Sequence, residues 1–579
     1  MSLICGVFAL RQRAIAPDIW RSHLRINLNR GDAGTISEFD DGRLFLLKLD
    51  IGAFIDPGWG VSKHRVTALA GHPIVTDAGA GSSRAEDMAI LSNCDSAGLR
   101  TALRTSRGYF NLVRYDRTES RLSLANGRVG VRSLYICRQD DLLVFSGALR
   151  LIETLPALRL TADLKGVLET ASFGVPLGER TRYKEIRCLR GGTLLHITRG
   201  DVTTDRYWRF DRDACTEVAT DLDATLDELY SQFDRAVALR AGRRKAVFSA
   251  LSGGLDSRSV TTALWRRGLE VHALNVSWRG SQDDVLGRMA ADALGIAYHH
   301  APRPIEESGN SLAIRLSALI LEKSALCPDL PSTRRQIWSG NGGSVGLGHV
   351  KMPREVVALL NSGNMEAAAR HFIKAMKFSL SGLLLRGATA FWAERLPLDS
   401  LMAELATIRC AEPARALYIF ELEHDQRRLL AFHFEEIDLV PFEFIEPLFD
   451  AEVLSVVCRL PMDYCLNHHM YHEWLKRFPP ETLSVPWQAY PGHEPCPIPL
   501  PAGTFDQWRT PRPVSCARTV GRAASGTLRY LSQLRRYRGV LHTSRVLAAY
   551  LMYALQLRDT SHLLKQVELI GDTLINAGL

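Results

Sequence analysis

The most constraining feature of the sequence is a glycine turn between a short apolar run and a helical pattern. The run Ala246 to Leu251 is followed by Ser252-Gly253-Gly254-Leu255-Asp256-Ser257 and then by Arg258 to Trp265. A buried strand joined to a helix by adjacent glycines is typical of phosphate binding, because the glycines let the backbone approach an anion and the helix N-terminus offers free N–H groups. The alternative interpretation is an ordinary strand-to-helix turn.

Asp256 needs a separate explanation in such a turn. A carboxylate among phosphate oxygens would be repelled unless a divalent cation lay between them, so we interpret Asp256 as a ligand of Mg²⁺. No lysine follows the second glycine, in contrast to the Gly-x-x-x-x-Gly-Lys-Ser/Thr loop. The segment resembles the pyrophosphate loop of ATP pyrophosphatases, which adenylate carboxylates or carbonyl oxygens. The candidate ATP-binding residues of this segment are Leu251, Ser252, Gly253, Gly254, Asp256 and Ser257.

Two stretches downstream predict the rest of a nucleotide-binding sheet. Leu269 to Ser277 has the pattern of a second parallel strand, and the helical pattern from Val285 ends at the glycine stop Gly295. Alternating strands and helices indicate a doubly wound parallel sheet, in which a ligand lies outside the carboxyl ends of the strands. Val276 is therefore expected at the same edge as the Ser252 turn.

A second glycine-rich turn, Trp338 to Gly346, occurs later in the chain. It can close over the nucleotide from an adjacent strand end, which makes Ser339 and Gly340 further candidate nucleotide-binding residues. The alternative is a flexible surface loop. After residue 355 the apolar spacing around Met376, Leu401 and Leu454 predicts helices.

Further motifs are spread over most of residues 1–490. They are Cys5-Gly6-Val7-Phe8, Arg107 to Phe110, Leu124 to Tyr135, Phe145-Ser146-Gly147 and Glu446 to Asp450. Together with the Ser252 turn, these motifs resemble the asparagine synthetase family, which includes β-lactam synthetases and lasso peptide cyclases. The resemblance implies a layered, β-rich class II glutamine amidotransferase domain of the Ntn-hydrolase type, followed by an ATP pyrophosphatase domain with many helices.

The N-terminal motif departs from the family pattern in two ways. In this family the nucleophilic cysteine is the first residue of the mature chain, because its own α-amine, with a pKa of ~8, serves as the base. Cys5 is the candidate nucleophile here, but Met1 to Ile4 precede it. The family's Asn-Gly-Glu segment is replaced by Gly-His-Pro-Ile at 71–74. We therefore expect a degenerate domain, kept for structure or for another substrate; the alternative is a glutaminase that requires an additional cleavage.

The second glycine-rich turn departs as well. Asn341 and Ser344 stand where the family usually has a glutamate and an aspartate. Asparagine can hydrogen-bond a substrate but cannot act as a base at neutral pH, and serine is a poor substitute for a carboxylate on Mg²⁺. Asp256 is thus expected to be the only protein acid on the metal. The family's late active-site lysine falls near His468, with Lys476 two turns on, so Asn341 and His468 are candidate catalytic residues by resemblance.

Composition agrees with an intracellular globular enzyme. With 579 residues, 46% hydrophobic and 23% charged, the chain can bury at least two cores. Its 11 cysteines include no Cys-x-x-Cys pair, which favours reduced thiols in a cytoplasm. We find no signal peptide, and the apolar block Val546 to Leu555 is too short to span a bilayer. We predict an amidotransferase-like domain at 1–210, an ATP pyrophosphatase domain at 211–500 and an arginine-rich helical extension at 501–579.

The extension carries an uneven share of the charge. Between Gln507 and Arg558 there are ten arginines, no lysine and no acid, whereas the whole chain has a net charge of +8. Such a segment suits an acidic peptide, a nucleic acid or an anionic membrane surface, and Val546 to Leu555 would supply an apolar face for the membrane. The alternative is a solvated helix pair packed on the ligase domain.

A histidine cluster at 468–472 invites a metal-site interpretation, because His468 and His472 share one helical face. No third ligand is evident in the sequence. A packed or substrate-facing histidine pair is therefore the preferred interpretation.

These observations predict an ATP-dependent amide-forming ligase that uses ATP and Mg²⁺ and acts on a small-molecule or peptide carboxylate. The resemblance implies either a glutamine-hydrolysing asparagine synthase or a cyclase of the β-lactam or lasso-peptide type, in which the amine belongs to the same substrate. Two alternatives remain: a catalytically silent nucleotide-binding regulator, and a polysaccharide-assembly factor at a membrane surface.

Overall fold

A computed structural model describes most of the chain. The described residues are 2–11, 17–75, 83–303, 316, 318–320, 322–323, 335–375, 388–506, 516–537, 540–555, 557 and 560–577.

The N-terminal part is built from two antiparallel sheets. The strands are β1 Ser2–Ala9, β2 Thr35–Asp40, β3 Leu44–Asp50, β4 Trp59–Val61, β5 Arg65–Gly71, β6 Phe110–Asp116, β7 Arg121–Asn126, β8 Tyr135–Gln139, β9 Leu142–Ser146, β10 Ile186–Cys188, β11 Thr193–Ile197 and β12 Val202–Arg206. One sheet has the order β10-β8-β9-β1-β3-β2 and the other β12-β11-β7-β6-β5-β4. The helices are α1 Asp18–Leu28, α2 Arg84–Asn93, α3 Ser96–Thr105, α4 Arg150–Glu153, α5 Leu164–Phe173 and α6 Phe210–Asp213.

Alternation along β1 explains how these layers stack. Ile4 and Phe8 point into a core that also contains Phe145 and Val113, which lie on the two different sheets. Cys5 and Val7, which lie between them, belong to a second core on the opposite side of the sheet. A strand buried on both faces is apolar throughout, and its period of two assigns neighbouring residues to different layers. The predicted layered, β-rich domain is confirmed.

The following part is built on a parallel sheet. Its strands are β13 Ala246–Ala250, β14 Glu270–Ser277, β15 Ala297–Pro302, β16 Gln336–Trp338 and β17 Glu443–Ile445. The strand order is β15-β14-β13-β16-β17, and the neighbouring strands pair in parallel. The order changes direction between β13 and β16, which creates the crevice where doubly wound sheets bind ligands. The predicted doubly wound sheet is confirmed.

Helices surround this sheet and form most of the rest of the chain. They are α7 Leu222–Ala241, α8 Leu255–Arg266, α9 Gln282–Leu294, α10 Gly343–Gly346, α11 Arg354–Asn361, α12 Met365–Ala375, α13 Ala388–Ala406, α14 Arg415–Phe420, a π-helix Glu421–Gln426, α15 Arg427–Glu435, α16 Ala451–Arg459, α17 Met462–Cys465, α18 His469–Leu475, α19 Cys516–Ser532, α20 Leu534–Tyr537, α21 Thr543–Ala554 and α22 Ser561–Asn576. Short 3₁₀ turns lie at Pro447–Phe449, Leu466–His468 and Pro480–Thr482. Leu401 and Leu454 are buried in α13 and α16 as predicted, whereas Met376 lies outside the described residues.

The helix ends follow the capping residues. Helix α9 begins three residues before Val285 because the Ser281 hydroxyl accepts a hydrogen bond from the Asp284 N–H at 3.3 Å. It ends as predicted at Gly295, which has a φ of 63°. Helix α8 begins at Leu255, directly after the glycine pair, so Asp256 lies in its first turn and not in a loop.

Buried ion pairs join the two parts of the molecule. Asp450 lies 2.8 Å from Arg107 and 2.9 Å from Arg240, and Arg132 of the N-terminal part pairs with Glu443 of β17. Breaking a buried pair leaves an uncompensated charge, so these contacts hold the two parts in one arrangement.

The C-terminal helices pack mainly on the N-terminal part. Tyr530, Val546 and Val567 share a core with Val167 and Leu168 of α5, and Leu396 of α13 packs against the same core. The extension is thus packed, as in the alternative interpretation, but mainly on α5 and only in part on the ligase domain. No helix within the described ranges is long and apolar enough to cross a membrane.

Candidate active site

The Ser252 turn is held in shape by its own hydroxyl groups. The Ser257 hydroxyl accepts a hydrogen bond from the Ser252 N–H at 3.0 Å and lies 3.0 Å from the Ser252 hydroxyl. A side chain at Gly253 would place its Cβ 2.7 Å from the carbonyl oxygen of Gln282. Leu251 beneath the turn is buried, and its N–H donates to the Leu274 carbonyl at 2.9 Å. Gly253 is thus required, because α9 approaches the backbone of the turn too closely for a side chain at this position.

The second glycine-rich turn lies directly on the first. A Cβ at Gly340 would lie 2.4 Å from the Ser257 nitrogen, and a Cβ at Gly343 would lie 2.5 Å from Asp256 Oδ1. The Ser339 N–H donates to the Ile445 carbonyl at 3.0 Å, which anchors this turn to β17. The two turns therefore form one edge of the crevice at the carboxyl ends of β13 and β16. Val276, near the end of β14, is half-buried and packs in the core of the sheet.

Asp256 receives a hydrogen bond on each carboxylate oxygen. Ser344 Oγ donates to Oδ2 at 2.6 Å, and the Tyr471 hydroxyl donates to Oδ1 at 2.7 Å. Burial raises the pKa of Asp256, and the two hydroxyl groups oppose that rise. The role of Tyr471 was not predicted from the sequence. Its position within the histidine-rich segment 468–472 was the one available indication of a place in the site.

A cavity of about 220 Å³ opens beside these turns. Its lining consists of Ser252, Gly254, Leu255, Asp256, Ser344, His468, His472, Trp487, Gln488, Ala489, Tyr490 and Glu494. None of these lining residues is a lysine or an arginine. A bound triphosphate would therefore depend on backbone N–H groups, hydroxyl groups and a metal ion for its charge.

Glu494 is a second acid in the lining of the cavity, while Asp256 remains the only acid predicted to bind the metal. The two carboxylate oxygens of Glu494 lie 3.2 Å from His469 Nδ1 and 3.1 Å from His472 Nδ1. Within the described ranges, no group of three or more His, Cys, Asp or Glu side chains is arranged to hold a metal ion. Mg²⁺ fits the site as an ion held by Asp256 and phosphate oxygens, because Mg²⁺ needs only one or two protein carboxylates.

His468 lines the cavity at the position predicted for the family's lysine. Burial and the neighbouring rings of His493 and His472 lower its pKa to about 3. The imidazole is thus uncharged at neutral pH when no anion is bound. Lys476 is not part of the lining; its ammonium group pairs with Glu473 at 2.6 Å on the surface.

Gln488 presents an unsatisfied amide to the cavity. Its backbone N–H donates to the Gly253 carbonyl at 2.9 Å, and Arg258 holds the preceding Pro486 carbonyl at 2.7 Å. The side chain is 8% exposed, and neither its Oε1 nor its Nε2 has a hydrogen-bond partner in the described part of the chain. A buried amide without partners costs free energy, so this group is suited to a ligand.

Asn341 does not line the phosphate cavity. Its Nδ2 donates to Glu446 Oε1 at 3.0 Å. Glu446 lines a cavity of about 30 Å³ between the two parts of the molecule, together with His72 and Tyr109. Glu446 Oε2 is buried and lacks a partner among the described residues. Burial raises the pKa of Glu446 to about 8.

The pKa of Glu446 predicts a pH-dependent loss of stability. Its pKa rises from 4.5 to about 8 on folding, so the folded state binds the proton more tightly and stability falls as pH rises from about 4.5 to 8. Replacing Glu446 by Gln should reduce this loss by up to about 5 kcal/mol, since each pKa unit corresponds to about 1.4 kcal/mol, measured from urea unfolding at the two ends of the window. The exposed Glu355→Gln variant is the control. Equal pH dependence in E446Q and wild type would contradict the assignment.

Cys5 lies in the middle of a central strand. It pairs with Leu47 of β3 on one side and with Ser146 of β9 on the other, and it is fully buried. Burial raises the pKa of the thiol to about 12. A thiol in this state is protonated and inaccessible, which is unfavourable for a nucleophile. The nine cysteines described are all free.

Comparisons with known proteins agree with the two parts of this structure. Residues 79–208 match the model of a glutamine amidotransferase domain, and residues 228–307 match the model of asparagine synthase. The chain thus contains one segment similar to each of these two kinds of domain. Together with the relative described next, these matches confirm the resemblance to the asparagine synthetase family.

One curated relative is asparagine synthetase (glutamine-hydrolyzing) 3 of Bacillus subtilis (strain 168), which is 25% identical over 155 residues. The match spans 27% of this chain and only 25% of the relative. Among solved structures, glutamine phosphoribosylpyrophosphate amidotransferase from B. subtilis, complexed with ADP and GMP, has a TM-score of 0.25 at 10% identity, covering 58% of this chain and 81% of that one. The allosteric regulatory enzyme of purine biosynthesis has a TM-score of 0.25 at 11% identity, covering 61% and 78%.

Proposed function

We propose that the protein is an ATP-dependent carbon–nitrogen ligase that activates a carboxylate as an acyl-adenylate and transfers the acyl group to an amine. The observation that carries this proposal is the contact between the two glycine-rich turns, which brings Ser344 onto Asp256 beside a cavity of ligand size. The match of residues 228–307 to asparagine synthase supports the same reaction class.

In the proposed reaction, an oxygen of the substrate carboxylate attacks the α-phosphorus of ATP and pyrophosphate leaves. Ser252 and the Gly254 N–H line the cavity and can hydrogen-bond the departing pyrophosphate, although without ligand the Gly254 N–H donates to Ser252 Oγ at 3.3 Å. Ser257 does not line the cavity and holds Ser252 in place. Mg²⁺ held by Asp256 would neutralise part of its charge. The amine then attacks the acyl carbon, and AMP leaves.

Two other groups in the cavity fit the remaining steps. Glu494 is a carboxylate that can hold an incoming ammonium group and accept a proton from it. His468 is uncharged without ligand, but an anionic phosphate nearby favours the imidazolium and raises the pKa. His468 can therefore gain, on nucleotide binding, the positive charge that the family obtains from lysine.

The substrate is proposed to carry both the carboxylate and the amine, as in the cyclases of the family. Cys5 is buried in the middle of β1, which argues against ammonia from glutamine. The described lining has no arginine or lysine to hold a free α-carboxylate, and the Gln488 amide matches a peptide group, which has one donor and one acceptor. A peptide carboxylate fits this lining better than free aspartate.

The Cys5→Ala variant tests the role of the N-terminal domain. We expect ligation to stay within about twofold of wild type, because the thiol is buried and protonated. The folded protein should produce no glutamate from glutamine, and Cys5 should resist iodoacetamide while the half-buried Cys94 reacts. Labelling is read by peptide mass spectrometry. A C5A variant that loses ligation while its thermal stability is unchanged would contradict this assignment.

A silent nucleotide-binding regulator is the second candidate. It is favoured by one observation: the Gly253 N–H, which could bind phosphate, donates to Asp283 Oδ1 at 3.1 Å, so an acid occupies part of the anion site. Exchange of pyrophosphate into ATP in the presence of peptide and amino-acid carboxylates separates the two functions. Exchange supports the ligase, whereas ATP binding without exchange for every acid tested supports the regulator.

A further inference from the structure

Helix α21 has apolar side chains on two opposite faces. Val546, Ala549 and Tyr550 are buried against the rest of the extension. Leu551, on the other side of the helix, and Leu555, directly after its last residue, are 58% and 56% exposed. A surface helix needs only one apolar face, so the second is unexplained by the fold of the chain.

The exposed apolar side chains continue beyond this helix. Leu557 is 74% exposed, directly after α21. On α19, Leu528 is 68% exposed and Leu531, three residues later, is also exposed. These five leucines define the leucine surface of the extension. Single exposed leucines are ordinary, but a group on adjoining helices marks an interaction site.

The leucine surface belongs to a strongly basic segment. The chain between Gln507 and Arg558 contains ten arginines and no acid, and Arg522, Arg529 and Arg535 are exposed on or next to α19. One acid of α22 contributes locally, since Asp572 lies 2.7 Å from Arg529. The segment as a whole therefore favours an anionic partner.

Charge and shape select among the possible partners. A second copy of the chain would place arginines against arginines in a symmetric contact, which is unfavourable. A nucleic acid would pair with the arginines but offers aliphatic side chains no apolar volume. An anionic lipid surface satisfies both components, because phosphate groups meet the arginines and the acyl boundary accepts the leucines.

We propose that α19 to α21 form a peripheral docking site for an anionic lipid bilayer, with the leucine surface entering the boundary between headgroups and acyl chains. The proposal is independent of the ligase reaction.

Flotation of the full-length protein with lipid vesicles tests this proposal. We expect binding to phosphatidylcholine vesicles with about one third phosphatidylglycerol, and at least ~10-fold weaker binding to pure phosphatidylcholine. The double variant L551D/L555D should lose at least ~10-fold in affinity for the anionic vesicles. The variant R522Q/R535Q should weaken binding and reduce its salt dependence.

Matched controls separate this effect from a general surface change. I26D/I55D makes the same type of substitution at exposed isoleucines of the N-terminal part, which are 72% and 88% exposed, and should bind like wild type. Thermal unfolding verifies that each variant is folded. The proposal is overturned if wild type does not float with anionic vesicles, if L551D/L555D binds as wild type does, or if light scattering shows a dimer that L551D/L555D dissociates.

Discussion

Replacing Asp256 by Asn should lower the rate of pyrophosphate release from ATP by ~10² or more. The substitution keeps the size of the side chain and its place between Ser344 and Tyr471, but it removes the charge that holds Mg²⁺ against pyrophosphate. Nucleotide binding in the absence of metal should change little. The measurement is initial-rate pyrophosphate release, together with ATP titration in the presence and absence of Mg²⁺.

Two further variants isolate the charge. Tyr471→Phe removes one hydrogen bond to Asp256 but leaves the carboxylate, so its effect should stay below ~10-fold. Ser344→Asp adds a carboxylate beside Asp256 and should tighten Mg²⁺ binding, and this gain should vanish in the Asp256→Asn background if both side chains bind one ion. Full turnover in D256N with every acid tested would show that Asp256 does not hold the metal.

Replacing His468 by Gln should lower turnover by ~10² and abolish a proton uptake that accompanies ATP binding. In the absence of ligand the pKa of His468 is about 3, so the ring is neutral at pH 7. The phosphate groups of ATP raise that pKa, and ATP binding to wild type should therefore be tighter at pH 6 than at pH 8. Calorimetry in buffers of different ionisation enthalpy measures the number of protons taken up.

His469→Gln is the matched control, since His469 is the neighbouring histidine, is exposed and does not line the cavity. It should keep both the turnover and the proton uptake. His468→Lys supplies the charge permanently and should restore most of the rate while removing the pH dependence of ATP binding. If H468Q and wild type take up the same number of protons, the charge arises elsewhere, in the nucleotide or at another residue.

Much of the fold could be predicted from local patterns. The strand-to-helix turn at 253–254 and the Gly295 stop could be recognised from neighbouring residues of the chain. The Ser281 cap is equally local, but it was not recognised, so the start of α9 was placed three residues too late. The alternation of strands and helices after Ala246 sufficed for the parallel sheet and for the position of the phosphate turn.

The sequence left open the contacts between distant segments. The arginine-rich extension packs mainly on α5, which lies more than 300 residues before it, and only in part on the ligase domain. The amphipathic pattern showed that the helices have an apolar face, but any complementary apolar surface could cover it. Packing of side chain volumes made that choice, and no periodicity encodes it.

The sequence by itself determined which residues form the phosphate turn and that a helix follows it. Only the tertiary structure decided what surrounds Asp256: Tyr471 and Ser344 reach it from segments 215 and 88 residues away, and Asn341 is turned instead to Glu446. The physical reason is the distance along the chain over which each interaction acts. Backbone turns and caps are set by neighbours along the chain, whereas the solvation and charge of a buried carboxylate depend on every segment that the fold packs around it.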